Sequence, residues 1–220
     1  MGTPGPIVGL LRAIPAVTGP LPGFDPEAAP DNPVPLFMQW LRTAIDAQVP
    51  EPHAMTLSTA DPQGRPSARV LVCRDVDAAG SWYFASAAAS PKGRELRANP
   101  HGALTFYWPP QGRQIRIRGT VAPAGPERSA ADFLARSPQS RAESLTGRQS
   151  EVLADPAELE IALQEARARL AAAPNLVGDW TLYALTAAGV EFWQADDQRR
   201  YTRLRYERTD RAWTRSRLWP

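Results

Sequence analysis

The sequence predicts an α+β protein built on a closed or split antiparallel β-barrel with peripheral helices. Short alternating runs recur at hairpin spacing, which is the signature of antiparallel strands with one wet face. Only a few helical segments interrupt them, and none alternates with a strand as a parallel α/β sheet requires. Neither an internal repeat nor a second domain is visible in the 220 residues.

The chain opens with a proline-rich arm. Nine of the 23 prolines precede position 36, so residues 1–32 are expected to hold no regular helix or central strand. They read as an arm, mobile or draped over a domain formed by residues 33–220. The run PLFMQWLRTAIDAQV then places Phe37, Trp40, Leu41 and Ile45 at helical spacing, predicting an amphipathic helix. Strands follow in AMTLSTA, in RVLVCRDV after the turn DPQGRP, and in SWYFAS, ALTFYW and QIRIRGTV. In the last of these Ile115 and Ile117 face one way, Arg116 and Arg118 the other. Two helical segments come next, PERSAADFLARS and DPAELEIALQEARARLAAA, the second entered by Asp155 with Pro156 in its first turn. Strands return in WTLYAL, VEFWQ, TRLRYER and AWTRSRLW.

Composition excludes several functions. With 43% hydrophobic and 22% charged residues the chain can bury one substantial core. The single cysteine, Cys73, rules out an intrachain disulfide framework, and two histidines leave too few soft ligands for zinc, so no metal is expected. No run is long enough to span a membrane, and the apolar IVGLLRAIPAV lacks the flank and cleavage pattern of a secretory signal. The expectation is therefore a cytoplasmic protein with no membrane partner. Dinucleotide, phosphate-loop and G-x-S-x-G patterns are all absent. A bound phosphate would have to be held by side chains and a helix end.

Charge is uneven, since residues 199–220 carry eight arginines against Glu207 and Asp210. That asymmetry raises the question of an anionic partner such as RNA. The arginines alternate with core positions and no stacking platform accompanies them, so no nucleic-acid partner is expected. Arg200 and Arg205 read as solvent-facing. Of 25 basic residues only Lys92 is lysine. It lies in ASPKGREL, where Ser90 can cap a helix whose first turn holds Pro91, setting free amides beside the ammonium. That arrangement is either an anion cradle or an ordinary helix start with a solvated lysine. Arg69 opens the strand RVLVCR, among neighbours apolar enough to shield an ion pair.

Taken together, GRPSARVLV, SPKGRELRANP, FYWPPQGRQIRIRG, GRQSEVLAD and EFWQADDQRRYTRLRY resemble, in order and spacing, the pyridoxamine 5'-phosphate oxidase family of FMN flavoproteins. Within that family VPEPHAMTLSTADPQGRPS and RQSEVLAD are similar to the flavin oxidases of phenazine biosynthesis. The resemblance implies a split-barrel homodimer with FMN at its interface. It implies flavin contacts from Arg69, Val70, Leu71, Val72, Cys73 and Arg74, from Ala85, Ser86, Lys92 and Gln114, and from Gln149, Ser150, Trp193 and Arg203. Arg69 and Lys92 would neutralise the phosphate. Substrate contacts would come from Arg74, Asp132, Arg136, Ser140, Arg199 and Tyr201, with Arg199 and Tyr201 nearest the chemistry.

Three of these positions depart from the vitamin-forming oxidases. Those enzymes carry Arg-Leu-His where this chain has Arg199-Arg200-Tyr201, a lysine at Arg74, and a phosphate-binding tyrosine at Asp132. A carboxylate beside a phosphate dianion is repulsive. The expected activity is thus an FMN-dependent oxidase that dehydrogenates a reduced nitrogen-containing ring, as in phenazine biosynthesis, with oxygen as acceptor. The alternative is pyridoxamine/pyridoxine 5'-phosphate oxidation. A barrel that binds flavin without turnover is a third possibility.

Overall fold

The computed structural model describes residues 7–15, 20–196, 198, 200–210 and 212–220. Its strands are β1 (Ala54–Ala60), β2 (Pro66–Val72), β3 (Asp75–Val76), β4 (Ser81–Ala87), β5 (His101–Trp108), β6 (Arg113–Pro123), β7 (Trp180–Gln194), β8 (Thr202–Arg208) and β9 (Trp213–Arg217). Its helices are α1 (Val8–Ala13), α2 (Pro33–Asp46), α3 (Pro91–Ala98), α4 (Pro126–Leu134), α5 (Pro138–Leu145) and α6 (Pro156–Ala172). Hydrogen-bonded order in the sheet is β2-β1-β5-β6-β7-β4-β3, with β8 on β7 and β9 on β8. This is the α+β antiparallel architecture expected from the alternating runs.

The chain forms two compact units, one gathering the residues up to Pro52 with Phe106–Arg116 and Val190–Pro220, the other His53–Thr105 with Ile117–Gly189. The first is built on aromatic edges. Trp40 of α2 meets Phe24 at 5.0 Å and Phe192 at 5.1 Å, and Phe192 meets Tyr206 at 5.8 Å. The arm's end is tied down here as well, because the Tyr206 hydroxyl donates to the Pro30 carbonyl at 2.7 Å.

In the second unit β1 pairs along its whole length with β2, and β4 with β7. Leu57, Trp82, Phe84, Leu104, Ile117 and Leu185 are fully buried there. A helical cluster of Phe133, Ala142, Leu145 and Ala166 completes the packing, with Trp180 against it.

Several expectations need correcting. The arm does hold a helix, α1, because six residues fit into the proline-free interval between Pro6 and Pro15. On α2 the buried face runs through Val34, Phe37, Trp40 and Ala44, while Ile45 is exposed. One residue on from Ala44 is about 100° round the helix, enough to carry Ile45 off that stripe.

The run RVLVCRDV breaks in two at Cys73, whose amide donates to His53 while that of Arg74 donates to Tyr83. The chain is there changing partners, from β1 to β4. WTLYAL and VEFWQ are one strand, and their small-residue link stays extended where Gly119 passes so close that a Cβ would lie 2.0 Å from the Thr186 carbonyl oxygen. Arg205 is half-buried, with its Nε out of solvent, because β8 lies between β7 and β9. Arg200 is 72% exposed, as expected of a solvent-facing side chain.

Helix α5 went unread in the sequence although Ser137-Pro138 repeats the cap pattern of Ser90-Pro91. No helix among the described residues is long and apolar enough to cross a membrane, and among them no cluster could hold a metal.

Phe192 is fully buried between Trp40 and Tyr206. Phe192→Ala should therefore cost about 3–5 kcal/mol of stability, read as a lowered urea midpoint at unchanged slope.

Candidate active site

The first turn of α3 sets the chemistry of the second unit. Ser90 caps the helix by accepting from the Gly93 amide at 3.3 Å, and Pro91 opens it. Lys92 is only 7% exposed. Its ammonium donates to Ser86 Oγ at 3.0 Å, Gln149 Oε1 at 3.1 Å and Ser90 Oγ at 3.3 Å, all neutral oxygens. Burial, and after it the nearby Arg69, holds the Lys92 pKa below its ordinary value, while Glu95 acts in the opposite direction. The solvated-lysine reading is therefore overturned, because β4 and the 147–150 loop close over the side chain.

Arg69 stands on β2 beside this helix. Its guanidinium donates to Thr59 Oγ1 at 2.5 Å, Ser67 Oγ at 2.6 Å and Glu95 Oε2 at 3.2 Å. Arg69 forms an ion pair with Glu95, one helical turn beyond Lys92, a partner that the sequence reading did not name. Neither Thr59 nor Glu95 stood out in the sequence, because nothing local marks a residue that acts through a neighbouring strand.

A cleft of about 430 Å³ lies in the same unit. Leu71, Val72, Arg74, Ala85, Ser86, Arg136 and Gln149 line it, all of them expected from the sequence, together with Glu143, Ser144, Arg148 and Trp180, which were not. Leu71, Val72 and Ala85 give it apolar lining, and Arg74, Arg136 and Arg148 give it cations beside the carboxylate of Glu143. Asp132 sits beside the cleft, 3.7 Å from Arg74 Nε, and accepts from the Trp180 indole N–H at 2.7 Å. Arg136 lies 3.9 Å over the Trp180 ring and donates to Ser144 Oγ at 2.5 Å. Burial, then the like charge of Arg74, depresses the Arg136 pKa, with Asp132 and Glu143 opposing.

Local backbone fixes the loop that delivers Gln149. Gly147 takes φ 72° just past α5, a usual place for glycine, and Ser150 takes φ 73°, which is uncommon for a residue with a Cβ. Arg148 ties the loop to Glu151 at 3.0 Å and to Glu158 of α6 at 3.1 Å. Ser150 is exposed, as is Val70 on β2. Ser140 faces its own cap, with Oγ 3.0 Å from Ser137 Oγ, and is not among the cleft's lining residues.

The remaining expected residues belong to the first unit. Trp193 and Tyr201 are neighbours, ring centres 5.1 Å apart. Arg203 is engaged twice by Glu191, at 2.9 and 2.8 Å, and by the Trp219 carbonyl at 2.9 Å. Burial alone would raise the Glu191 pKa, but Arg116 and Arg203 outweigh it and hold the carboxyl below its usual value. Gln114 is half-buried on β6. Arg199 lies outside the described residues.

The donor set suits a phosphorylated polyol cofactor. A buried ammonium, a guanidinium and serine and glutamine side chains gather at a helix start, beside a cleft whose apolar lining from β2 and β4 can take a flat ring. Comparison with known proteins agrees. The profile described as "Pyridoxamine 5'-phosphate oxidase" matches residues 41–170, and that described as "Pyridoxine 5'-phosphate oxidase C-terminal dimerisation region" matches 180–220.

A "Pyridoxine/pyridoxamine 5'-phosphate oxidase" of Paraburkholderia phymatum is 43% identical over 190 residues, covering 86% of this chain and 89% of the relative. One from Pseudomonas paraeruginosa is 40% identical over 201 residues, covering 90% and 93%. Among solved structures, PhzG from Burkholderia lata 383 in complex with tetrahydrophenazine-1-carboxylic acid superposes with a TM-score of 0.86 at 32% identity, over 92% of this chain and 100% of that one. An FMN-binding protein of Nostoc punctiforme, at 17% identity and TM-score 0.70, shares the fold.

Cys73 interrupts the strand that leads into the cleft, and burial pushes its thiol up to about 12. The thiol stays protonated across the neutral range, so modification by a disulfide reagent at pH 8 should be much slower in the native protein than in urea. Equal rates would show that the thiol is not desolvated.

Proposed function

Because the chain belongs to the pyridoxamine 5'-phosphate oxidase family, an FMN-dependent oxidoreductase family, we propose that it dehydrogenates a reduced, carboxylated nitrogen-containing ring of the phenazine-precursor type. One observation carries the substrate choice. Asp132 is fixed by the Trp180 N–H and stands 3.7 Å from Arg74 Nε, so a carboxylate already offsets one cation of the cleft. A phosphate dianion entering there would meet that fixed negative charge. A singly charged carboxylate on a flat ring meets less repulsion, and Arg136 remains to pair with it. The likeness to PhzG, solved with a tetrahydrophenazine carboxylic acid, supports the same choice.

Bound FMN supplies hydride acceptance and the return of two electrons to oxygen, giving hydrogen peroxide. The protein's part is to hold and orient. Lys92 and Arg69 hold the cofactor phosphate, with the amides of the α3 first turn beside them. Gln149 and Ser86 supply polar contacts, and Leu71, Val72 and Ala85 supply the apolar floor for the ring. By the resemblance to the family, Gln114, Ser150, Trp193 and Arg203 would add flavin contacts, and Arg199 and Tyr201 would serve the substrate. The C-terminal match supports a homodimer, and by the resemblance to the family each flavin site would draw on residues of both protomers.

A second reading, pyridoxamine/pyridoxine 5'-phosphate oxidation, is supported by the names of the relatives at 43% and 40% identity. Anaerobic stopped-flow mixing separates the two. A dihydrophenazine carboxylic acid should bleach the flavin rapidly and pyridoxamine 5'-phosphate slowly, and Asp132→Tyr should narrow the gap by removing the repelling charge. Fast bleaching of the unaltered protein by pyridoxamine 5'-phosphate would transfer the assignment to the vitamin-forming reaction.

The cofactor assignment has its own test in the apoprotein. Lys92→Ala and Arg69→Ala should each weaken FMN binding by about 1.5–3 kcal/mol, the scale of a lost charge-assisted hydrogen bond. Arg200→Ala, a solvent-exposed control, should change it less than twofold. Fluorescence titration with FMN gives the ranking, and equal affinities would overturn the phosphate site.

A further inference from the structure

Trp180 is the residue of this cleft with the most specific set of partners and no assigned role. A single stretch of chain, Asp132 to Arg136, grips it on three sides. Asp132 Oδ2 accepts its N–H at 2.7 Å, the Phe133 ring stands at its edge at 6.1 Å, and the Arg136 guanidinium covers its ring at 3.9 Å. Asp132 is in the last turn of α4 and Arg136 lies two residues past its end, where its amide donates to the Phe133 carbonyl, so the chain leaving the helix brings both side chains to Trp180. Trp180 and Arg136 both line the cleft.

A free arginine side chain has several rotatable bonds and samples many directions. One stacked on an indole has its plane fixed and its N–H edge aimed. Arg136 is further held at one end by Ser144. The like charge of Arg74 works against Arg136, so an aromatic face that stabilises a cation without neutralising it is well suited to keeping Arg136 in the cleft. Asp132 and Glu143 act on Arg136 in the opposite sense to Arg74, and the indole adds hold without adding a further negative charge.

We propose that Trp180 is a positioning residue, an aromatic shelf on which Arg136 lies flat so that its edge reads the anionic group of a planar substrate. Asp132 has a double part, since it locks the indole through the N–H and offsets Arg74. The cleft then distinguishes anionic from neutral rings through one oriented arginine. This rests on reading the cleft as the substrate site.

The test uses the FMN-loaded protein and two redox-inactive probes of equal shape, phenazine-1-carboxylate and phenazine-1-carboxamide. Affinities are read from the perturbation of the flavin absorbance, and the quantity of interest is their ratio. The unaltered protein should prefer the carboxylate, and Arg136→Gln should abolish the preference. Trp180→Leu should reduce the ratio about tenfold, while Trp180→Phe, which keeps a ring but loses the N–H, should fall between.

Loss of affinity for both probes in equal proportion would make Trp180 a mere wall and overturn the proposal, as would an unchanged ratio. If the unaltered protein binds neither phenazine, the substrate reading fails by itself. The same ratio is then taken between pyridoxal 5'-phosphate and pyridoxal, where the shelf predicts the same loss in Trp180→Leu. Should that variant not fold, the comparison of Trp180→Phe with the unaltered protein decides, with a ratio equal to the unaltered one counting against the shelf.

Discussion

A lysine ammonium buried at the start of a helix, among hydroxyl and amide oxygens and without a carboxylate in contact, is costly to maintain. The depressed pKa of Lys92 expresses that cost, and much of the surrounding architecture follows from it. Ser90 serves both as helix cap and as a ligand of the ammonium. Ser86 points inward from β4, and the 147–150 loop adopts a left-handed turn at Ser150 that delivers Gln149. Next to it, Arg69 pairs with Glu95, so two cations share one nearby carboxylate and a net positive charge is left. In the proposed reading an anion, the phosphate of the flavin, completes this site.

Much of this was legible in the sequence wherever one face of an element is wet. AMTLSTA coincides with β1 because alternation survives when half of the residues are exposed or half-exposed. Ser90 and Asp155 cap α3 and α6 as their side chains suggest. The resemblance to a family brought Arg74, Ala85, Ser86, Arg136 and Gln149 together in advance, and they do line one cleft.

The misses are equally physical. Composition saw prolines at 6 and 15 but not that a six-residue helix fits between them. Helical spacing put Ile45 on the core stripe of α2, whereas small Ala44 is the residue that packs. Thr59, Glu95, Glu143 and Trp180 act through partners 26 to 48 residues away, or across a helix turn, and no local pattern encodes that. Arg203 illustrates the converse. Its charge was legible, but its engagement by Glu191 was not, because Glu191 sits in VEFWQ, where alternation marks only an outward position.

The division between cofactor and substrate explains how relatives 43% and 40% identical can bear one name while a structure at 32% identity contains another ring system. The residues proposed to hold the phosphate are tied together by burial and hydrogen bonds, and a change at Lys92, Ser86 or Glu95 disturbs several partners at once. At position 132 a carboxylate can stand where a phosphate-binding phenol would, provided that something fixes its direction and something accepts its charge. The Trp180 N–H does the first and Arg74 the second. In the proposed reading, specificity in this cleft depends less on which cations are present than on which of them a fixed carboxylate has already offset, leaving Arg136 on its aromatic shelf to meet the substrate.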